Sequence, residues 1–126
     1  MKGYDIILVF VGGGVGSTLR FLLGRWVNAL HGHYFPFGTL SVNIVACLLL
    51  GFVVGIADHR ELISPAARLF WTVGFCGGFS TFSTFSAETL ILIQNGFHFS
   101  TIIYIVLSLV FCLTATFGGI YFGEHI

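Results

Sequence analysis

Four long apolar segments dominate this sequence and restrict the folds open to it. They run over about residues 4–23, 40–57, 66–94 and 99–122. Each reaches the roughly 20 residues that a hydrocarbon core about 30 Å thick requires. Because backbone polar groups inside a bilayer must be paired within the protein, these segments are predicted to be transmembrane helices. The connections between them are short, so we expect one multi-pass membrane domain over residues 1–126, surrounded by membrane lipid.

The composition excludes a water-soluble domain. Hydrophobic residues make up 56% of the chain and charged residues only 8%, whereas soluble domains carry about 25% charged residues. The formal net charge is zero, so nothing favours binding to nucleic acid. Lys2 before an apolar run is also typical of a signal peptide. However, no A-x-A-like cleavage site follows, and three more apolar segments do, so we interpret the first segment as a permanent span.

Each apolar segment contains two glycines in G-x-x-x-G spacing. The pairs are Gly12/Gly16, Gly51/Gly55, Gly74/Gly78 and Gly119/Gly123. This spacing lets membrane helices approach each other closely. The pattern therefore predicts helices packed backbone to backbone, with room for a narrow pathway and not for a wide aqueous cavity.

The basic residues indicate no preferred orientation in the membrane. If the four spans alternate, Lys2, Arg60 and Arg68 lie on one side, and Arg25 and loosely Arg20 on the other. Three against two is almost no bias for the positive-inside rule. We therefore expect insertion in both orientations and an antiparallel, dual-topology homodimer.

An enzyme is not expected. In the spans, no serine or cysteine has a histidine at helical spacing to act as its base. The glycines of residues 12–17 superficially resemble a phosphate-binding loop, but the G-K-[ST] ending is missing, so helix packing is the better interpretation.

The histidines and cysteines do not form a recognisable metal site. His31 and His33 are two residues apart in a loop, a spacing more typical of solvated side chains than of a metal site. Cys47, Cys76 and Cys112 are odd in number and lack C-x-x-C spacing. We interpret the three cysteines as small apolar residues.

The most unusual stretch lies inside the third segment, at residues 74–86. Glycines at 74, 77 and 78 precede a Ser-Thr-Phe repeat that closes on Ser86. Phe82 and Phe85 share a helix face, and hydroxyl side chains surround them. Such a pair is usually simply core, but aromatic rings have positive edges that can line the path of a small anion. A cation path would instead need carboxylates or converging carbonyls.

Other polar residues lie within the spans and are expected to point inward. Asn43 is a lone amide in the second segment. It either forms a hydrogen bond with a neighbouring helix or faces a pathway. Tyr104, Ser108, Cys112 and Thr116 recur every four residues along one face of the fourth segment. Alternatively, the hydroxyls bond back to their own helix. Glu88 needs a partner or water. Together these residues predict a narrow anion route.

At these motifs the chain resembles the Fluc/CrcB fluoride channel family over almost its full length. The matching motifs are Gly12-Gly13-x-x-Gly16 with Arg20, Gly38-Thr39-Leu40-x-Val42-Asn43, and the stretch from Gly74 through Ser86 to Glu88. The third motif is highly specific.

The resemblance implies an all-α membrane protein with four transmembrane helices, the third broken near its middle. It implies an antiparallel homodimer in the bacterial inner membrane, with two pores that export fluoride passively and confer fluoride resistance. Asn43 would be the pore amide, and Phe82 and Phe85 an aromatic box. Tyr104, Ser108 and Thr116 would form a polar track, although Cys112 stands where a serine is expected. The remaining residues assigned to the pore are Thr81, Ser83, Thr84 and Glu88.

The resemblance also implies one structural sodium ion (Na+) at the dimer centre. Its ligands would be the backbone carbonyls of Gly77 and Ser80 from both subunits. Two roles stay open for Arg20, which either extends to the membrane interface or satisfies carbonyls at the helix break.

Two other functions are consistent with four short spans. A small multidrug-type exporter coupled to protons needs a carboxylate inside the membrane, and in the first segment only Asp5, near its end, is available. A scaffold that transports nothing leaves the hydroxyl-phenylalanine repeat unexplained.

Overall fold

The computed structural model describes residues 1–32, 34–59 and 61–126, and within these ranges the chain is helical and contains no strand. The elements are α1 (Gly3–Leu30), α2 (Phe37–His59), α3 (Pro65–Leu69), a π-helical segment (Phe70–Cys76), α4 (Gly77–Phe79), α5 (Ser83–Gln94) and α6 (His98–Glu124). The predicted all-α class is confirmed.

Helices α1, α2 and α6 are each long and apolar enough to cross a membrane. Large apolar side chains cover their outer faces, for example Phe10 at 79% and Phe117 at 74% exposure. A surface of this kind is stable in lipid and not in water. The protein is therefore a multi-pass integral membrane protein.

Side chains near the helix ends bond to backbone N–H groups at the starts of α1, α2 and α3. In α1, the backbone N–H of Lys2 donates to the Asp5 carboxylate at 2.8 Å. Asn28 accepts the N–H of Gly38 at 2.9 Å, so the end of α1 caps the start of α2. The Ser64 hydroxyl accepts the N–H of Ala67 at 3.1 Å ahead of α3. These bonds satisfy N–H groups that have no partner inside their own helix.

Helix α1 is longer than its apolar segment. It continues beyond residue 23 to Leu30, so most of the expected loop before α2 is helical. Arg25 and Asn28 lie on this extension and are compatible with helix outside the hydrocarbon region. Arg60, one of the residues in the orientation argument, lies outside the described residues.

The third segment is broken at residues 80–82, near its middle as predicted. Ser80 has an extended backbone (φ −77°, ψ 159°), and α5 starts anew at Ser83. The glycines at 74, 77 and 78 remain inside the helical part before the break. The π-helical turns before the break were not predicted, and π-helical turns are frequent at functional sites in other proteins.

The glycine pairs pack as predicted. A Cβ on Gly12 would stand 2.9 Å from the carbonyl oxygen of Phe70, and one on Gly78 would overlap the backbone of Gly13. Glycines of α2 and α6 meet in the same way, since a Cβ on Gly119 would lie 2.8 Å from the Phe52 nitrogen. The backbones therefore touch, and the expectation from G-x-x-x-G spacing is confirmed.

The order of the glycine contacts shows that α2 and α6 run in the same direction. Gly119 meets Leu48 and Phe52, and Gly123, one turn further on, meets Phe52 and Ile56. The chain must therefore return along the molecule between the end of α2 and the start of α6. The broken helix over residues 65–94 is the element that makes this return.

Candidate functional site

The site is built around one side-chain amide at the helix break. The Nδ2 group of Asn43 donates to the carbonyl of Thr81 at 3.0 Å, and the Oδ1 atom accepts the N–H of Thr81 at 2.8 Å. Because a backbone N–H can only donate, the second bond fixes which amide atom is oxygen. One N–H of the Asn43 amide is then left for another acceptor.

The Thr81 hydroxyl organises the start of α5. It accepts the N–H of Thr84 at 3.1 Å and lies 3.0 Å from the Thr84 hydroxyl. The Ser83 hydroxyl is 3.4 Å away. A threonine that bonds to its own backbone in this way favours a turn over continued helix, which explains why the chain breaks here.

These bonds free two carbonyl groups of the broken helix. In a continuous α-helix the N–H of Thr81 would bond Gly77, and that of Thr84 would bond Ser80. Here the two N–H groups donate to Asn43 and to the Thr81 hydroxyl instead. Freed carbonyls in a membrane need other partners. Gly77 and Ser80 are the two predicted sodium ligands, and backbone oxygens suit a hard cation.

A third carbonyl at the break, that of Gly78, does have partners. The Nε group of Arg20 donates to it at 3.0 Å, and the Ser17 hydroxyl lies at 3.4 Å. Of the two roles left open for Arg20, the structure shows the second, since the guanidinium satisfies a carbonyl at the helix break. A charged donor makes this a strong hydrogen bond.

An open cavity of about 270 Å³ lies beside the break. It brings together residues from three elements that are distant in sequence. Its lining residues are Asn43, Cys47, Ser80, Thr81, Phe82, Phe85, Ser108, Leu109, Cys112, Leu113 and Thr116. The ring centres of Phe82 and Phe85 are 5.6 Å apart. Most of the side chains predicted for an anion route therefore share one cavity.

The hydroxyls of α6 differ in their bonding. Thr116 donates back to the carbonyl of Cys112 at 3.0 Å, as the alternative interpretation of this face proposes. The hydroxyl of Ser108 is buried and has no hydrogen-bond partner among the described residues. A buried hydroxyl without a partner is energetically unfavourable. On this face of α6, the hydroxyl of Ser108 is therefore available to a ligand.

Tyr104 and Glu88 form a pair outside the lining of the cavity. Tyr104 is fully buried, and its hydroxyl donates to the Glu88 carboxylate at 3.1 Å. The carboxylate, which needed a partner or water, therefore has a protein partner in Tyr104. Thr39 and Glu88 line the same small pocket. Tyr104 is not among the residues that line the cavity.

A second, smaller pocket lies on another side of the break. It measures about 170 Å³ and is lined by Arg20, Phe21, Gly24, Arg25, Asn28, Gly38, Thr39, Val42, Thr81, Thr84 and Glu88. Thr81 borders both pockets, whereas its partner Asn43 lines the larger of the two. Ser83 is exposed at the start of α5 and lines neither pocket.

Sequence reasoning missed Cys47 and Arg25 as residues of these pockets. Cys47 lies one helical turn after Asn43, so helix periodicity alone places both on one face. Arg25 was treated as part of a loop, because the apolar segment seemed to end before it. It lies on the extension of α1.

The residues considered for other chemistry have structural roles. Asp5 caps the first turn of α1, and residues 12–17 are helical throughout. The ring Nδ1 of His31 lies 2.9 Å from the carbonyl of Val27, whereas His33 lies outside the described residues. The described part of the chain has no group of three or more His, Cys, Asp or Glu side chains that could hold a metal ion.

Comparison with known proteins gives consistent matches over nearly the whole chain. The family model described as CrcB-like protein, Camphor Resistance (CrcB), matches residues 7–120. The chain is 44% identical to the fluoride-specific ion channel FluC of Geobacter sulfurreducens, over 91% of this chain and 93% of that protein. It is also 44% identical to the FluC of Bacteroides fragilis (96% and 97% covered). The FluC of Agrobacterium fabrum is 41% identical (97% and 98% covered).

Proposed function

The chain belongs to the CrcB-like protein family, and we propose that it is a fluoride-selective channel that lets fluoride leave the cytoplasm passively. The observation that carries the proposal is the cavity at the helix break. Asn43, Phe82, Phe85 and Ser108 meet there from three separate elements. Relatives that cover nearly all of the chain are named fluoride-specific ion channels, and an ion channel performs no enzymatic reaction.

The cavity supplies donors for a small anion. Among the described residues, the second N–H of the Asn43 amide and the Ser108 hydroxyl have no protein acceptor that would compete with an ion. The rings of Phe82 and Phe85 add positive edges without a full charge. Fluoride must lose most of its water shell in a narrow path, so donors fixed in a dry site replace that water. Chloride, being larger, fits this spacing less well.

No energy source is required for export. Hydrogen fluoride is a neutral weak acid that enters cells from acidic surroundings and dissociates in the near-neutral cytoplasm. The anion then leaves through the pore, favoured by an inside-negative membrane potential worth about 2.3 kcal/mol per 100 mV. This direction of transport places the protein in the bacterial inner membrane.

The working unit is proposed to be an antiparallel dimer of chains with four crossings each. The broken helix makes the fourth crossing, which agrees with the parallel course of α2 and α6. The ring of Phe82 is 78% exposed in the single chain, and the cavity it lines is open. A second copy would cover the ring and close the cavity, giving two equivalent pores per dimer.

A structural sodium ion is proposed at the centre of that dimer. The carbonyls of Gly77 and Ser80 have lost their helix donors to Asn43 and Thr81, which leaves oxygen ligands that fit such an ion. When bound, the ion would supply positive charge beside the two carbonyls that have lost these donors. Replacing sodium with N-methylglucamine should then lower the thermal midpoint of the purified dimer. An unchanged midpoint would argue against the ion.

A proton-coupled exporter gains no support, because Asp5, the carboxylate it would need, caps α1. The test of the channel is efflux from liposomes that contain the purified protein, followed with fluoride and chloride electrodes. Fluoride is expected to leave rapidly and chloride to stay. Comparable chloride efflux, or no fluoride efflux, would reject the proposal.

A further inference from the structure

Two thiols line the proposed ion pathway from adjacent helices. Cys47 on α2 and Cys112 on α6 both line the cavity at the helix break. The backbones of α2 and α6 touch one turn further along, where Gly51 meets Thr116. Because α2 and α6 run in the same direction, this contact places Cys47 and Cys112 at the same level of two adjacent helices.

The third cysteine provides a natural comparison. Cys76 is buried, and it lines a different small pocket beside Cys47. It does not line the cavity that contains Cys47 and Cys112. All three thiols are free, and of the three, Cys47 and Cys112 line the cavity at the break whereas Cys76 does not.

Two neighbouring thiols suit one class of ligand. Cysteine sulfur is a soft donor that selects soft cations such as monovalent copper, and the thiolate is the form that binds. Hard cations prefer oxygen ligands. Apart from this pair, the cavity has only hydroxyls, one amide and apolar side chains, so the pair is its place for a soft ion.

We propose that Cys47 and Cys112 form a two-coordinate site for a soft monovalent cation, Ag⁺ or Cu⁺, and that its occupation stops fluoride passage. The second half of this proposal rests on the channel function, whereas metal binding stands independently of it. This thiol site differs from the proposed sodium site, whose ligands are carbonyl oxygens.

The binding step is balanced without any redox reaction. Two S–H bonds break, two sulfur–metal bonds form, and two protons pass to water. The two neutral thiols become a bridged group with a net charge of −1. A negative charge in a cavity of low dielectric constant repels an anion, and the metal fills part of the space. Both effects act against fluoride.

Binding is tested first, without transport. The detergent-solubilised full-length protein is equilibrated with silver nitrate in chloride-free buffer, with excess histidine as a competing ligand. Silver bound per chain is then counted by mass spectrometry. We expect one tightly bound Ag⁺ per chain in the wild type and in Cys76→Ala. Binding should weaken at least 100-fold in Cys47→Ser and in Cys112→Ser. Either single variant is sufficient if the other does not fold.

Transport is tested next, in liposomes with a nitrate buffer. Each variant is compared with its own efflux before silver is added. Micromolar Ag⁺ should slow wild-type and Cys76→Ala fluoride efflux at least tenfold, and dithiothreitol should restore it. The Cys47→Ser/Cys112→Ser double variant should be insensitive.

Each failure has a distinct meaning. A double variant that binds silver as tightly as the wild type, or that is blocked equally, overturns the thiol-pair site. Tight silver binding with unblocked fluoride efflux overturns the inhibitory role alone. Absence of fluoride efflux before silver is added rejects the channel function instead.

Discussion

The side chain of Asn43 forms both hydrogen bonds of the Thr81 backbone at the break in the third helix. It accepts the N–H at 2.8 Å and donates to the carbonyl at 3.0 Å. One amide thus replaces the two helix bonds that the Thr81 backbone would form in a continuous helix. Because these bonds leave one amide N–H for a ligand, the same side chain both holds the break and faces the cavity.

Replacing Asn43 with aspartate should abolish fluoride efflux. The carboxylate loses the bond to the Thr81 carbonyl and places a negative charge where an anion is to pass. We expect efflux in liposomes to fall more than tenfold. Asn95→Asp is the matched control, since that amide bonds the carbonyl of Ile91 at an exposed helix end. Normal fluoride efflux in the Asn43→Asp variant would show that this amide is not part of the pathway.

Replacing Phe82 with isoleucine should stop efflux while leaving the fold intact. The ring is 78% exposed in the chain, so its loss removes little packing within one subunit. An aliphatic side chain fills similar space but has no positive edge. We expect at least a tenfold loss of fluoride efflux with little change in the thermal midpoint. Phe99→Ile, at another exposed ring, should transport normally. Equal effects of the two substitutions would show that the ring of Phe82 has no special role.

Ser108 and Thr116 should respond differently to alanine substitution. The hydroxyl of Ser108 has no partner among the described residues, whereas Thr116 donates to the Cys112 carbonyl. Ser108→Ala should therefore reduce efflux more than Thr116→Ala does. Removing a buried hydroxyl that lacks a partner should also leave stability unchanged or raise it by about 1 kcal/mol. Ser108→Thr, which keeps the hydroxyl, should transport better than Ser108→Ala. The opposite order of the two alanine variants would contradict this assignment.

Gly16→Ala should destabilise the protein through backbone contact. A Cβ at this position would stand 2.9 Å from the nitrogen of Phe79 and closer still to the carbonyl of Phe75. Overpacking of this kind costs about 1–3 kcal/mol. Gly14→Ala on the same helix meets no atom within 4 Å and should instead stabilise α1 by about 0.5–1 kcal/mol. Denaturation in detergent measures both variants. Equal stabilities would mean that the close approach of α1 to the broken helix has no energetic role.

Much of the fold was predictable from the sequence, because a lipid environment restricts the structures that a chain can adopt. Long apolar segments imply helices, because nothing else satisfies their backbone. Paired glycines imply close contact, and Gly12 and Gly78 do lie against a neighbouring backbone. The Ser-Thr-Phe repeat coincides with the break in the third segment, which begins at the first residue of the repeat, Ser80.

Features that depend on contacts between distant residues were not predictable. Sequence spacing could not show that Arg20 bonds the Gly78 carbonyl, or that the N–H of Thr81 leaves its own helix for Asn43. The hydrogen bond between Tyr104 and Glu88 was also not predictable, because the two residues lie on different helices. The π-helical segment before the break left no sequence signal that we recognised.

The reversal potential of a planar bilayer containing the purified protein tests the central claim most directly. The two sides contain equal chloride and a tenfold difference in fluoride. If the pore conducts fluoride and excludes chloride, the current reverses at the fluoride equilibrium potential, about 59 mV at this gradient. A reversal near zero would show that chloride passes as readily as fluoride, and would contradict the account.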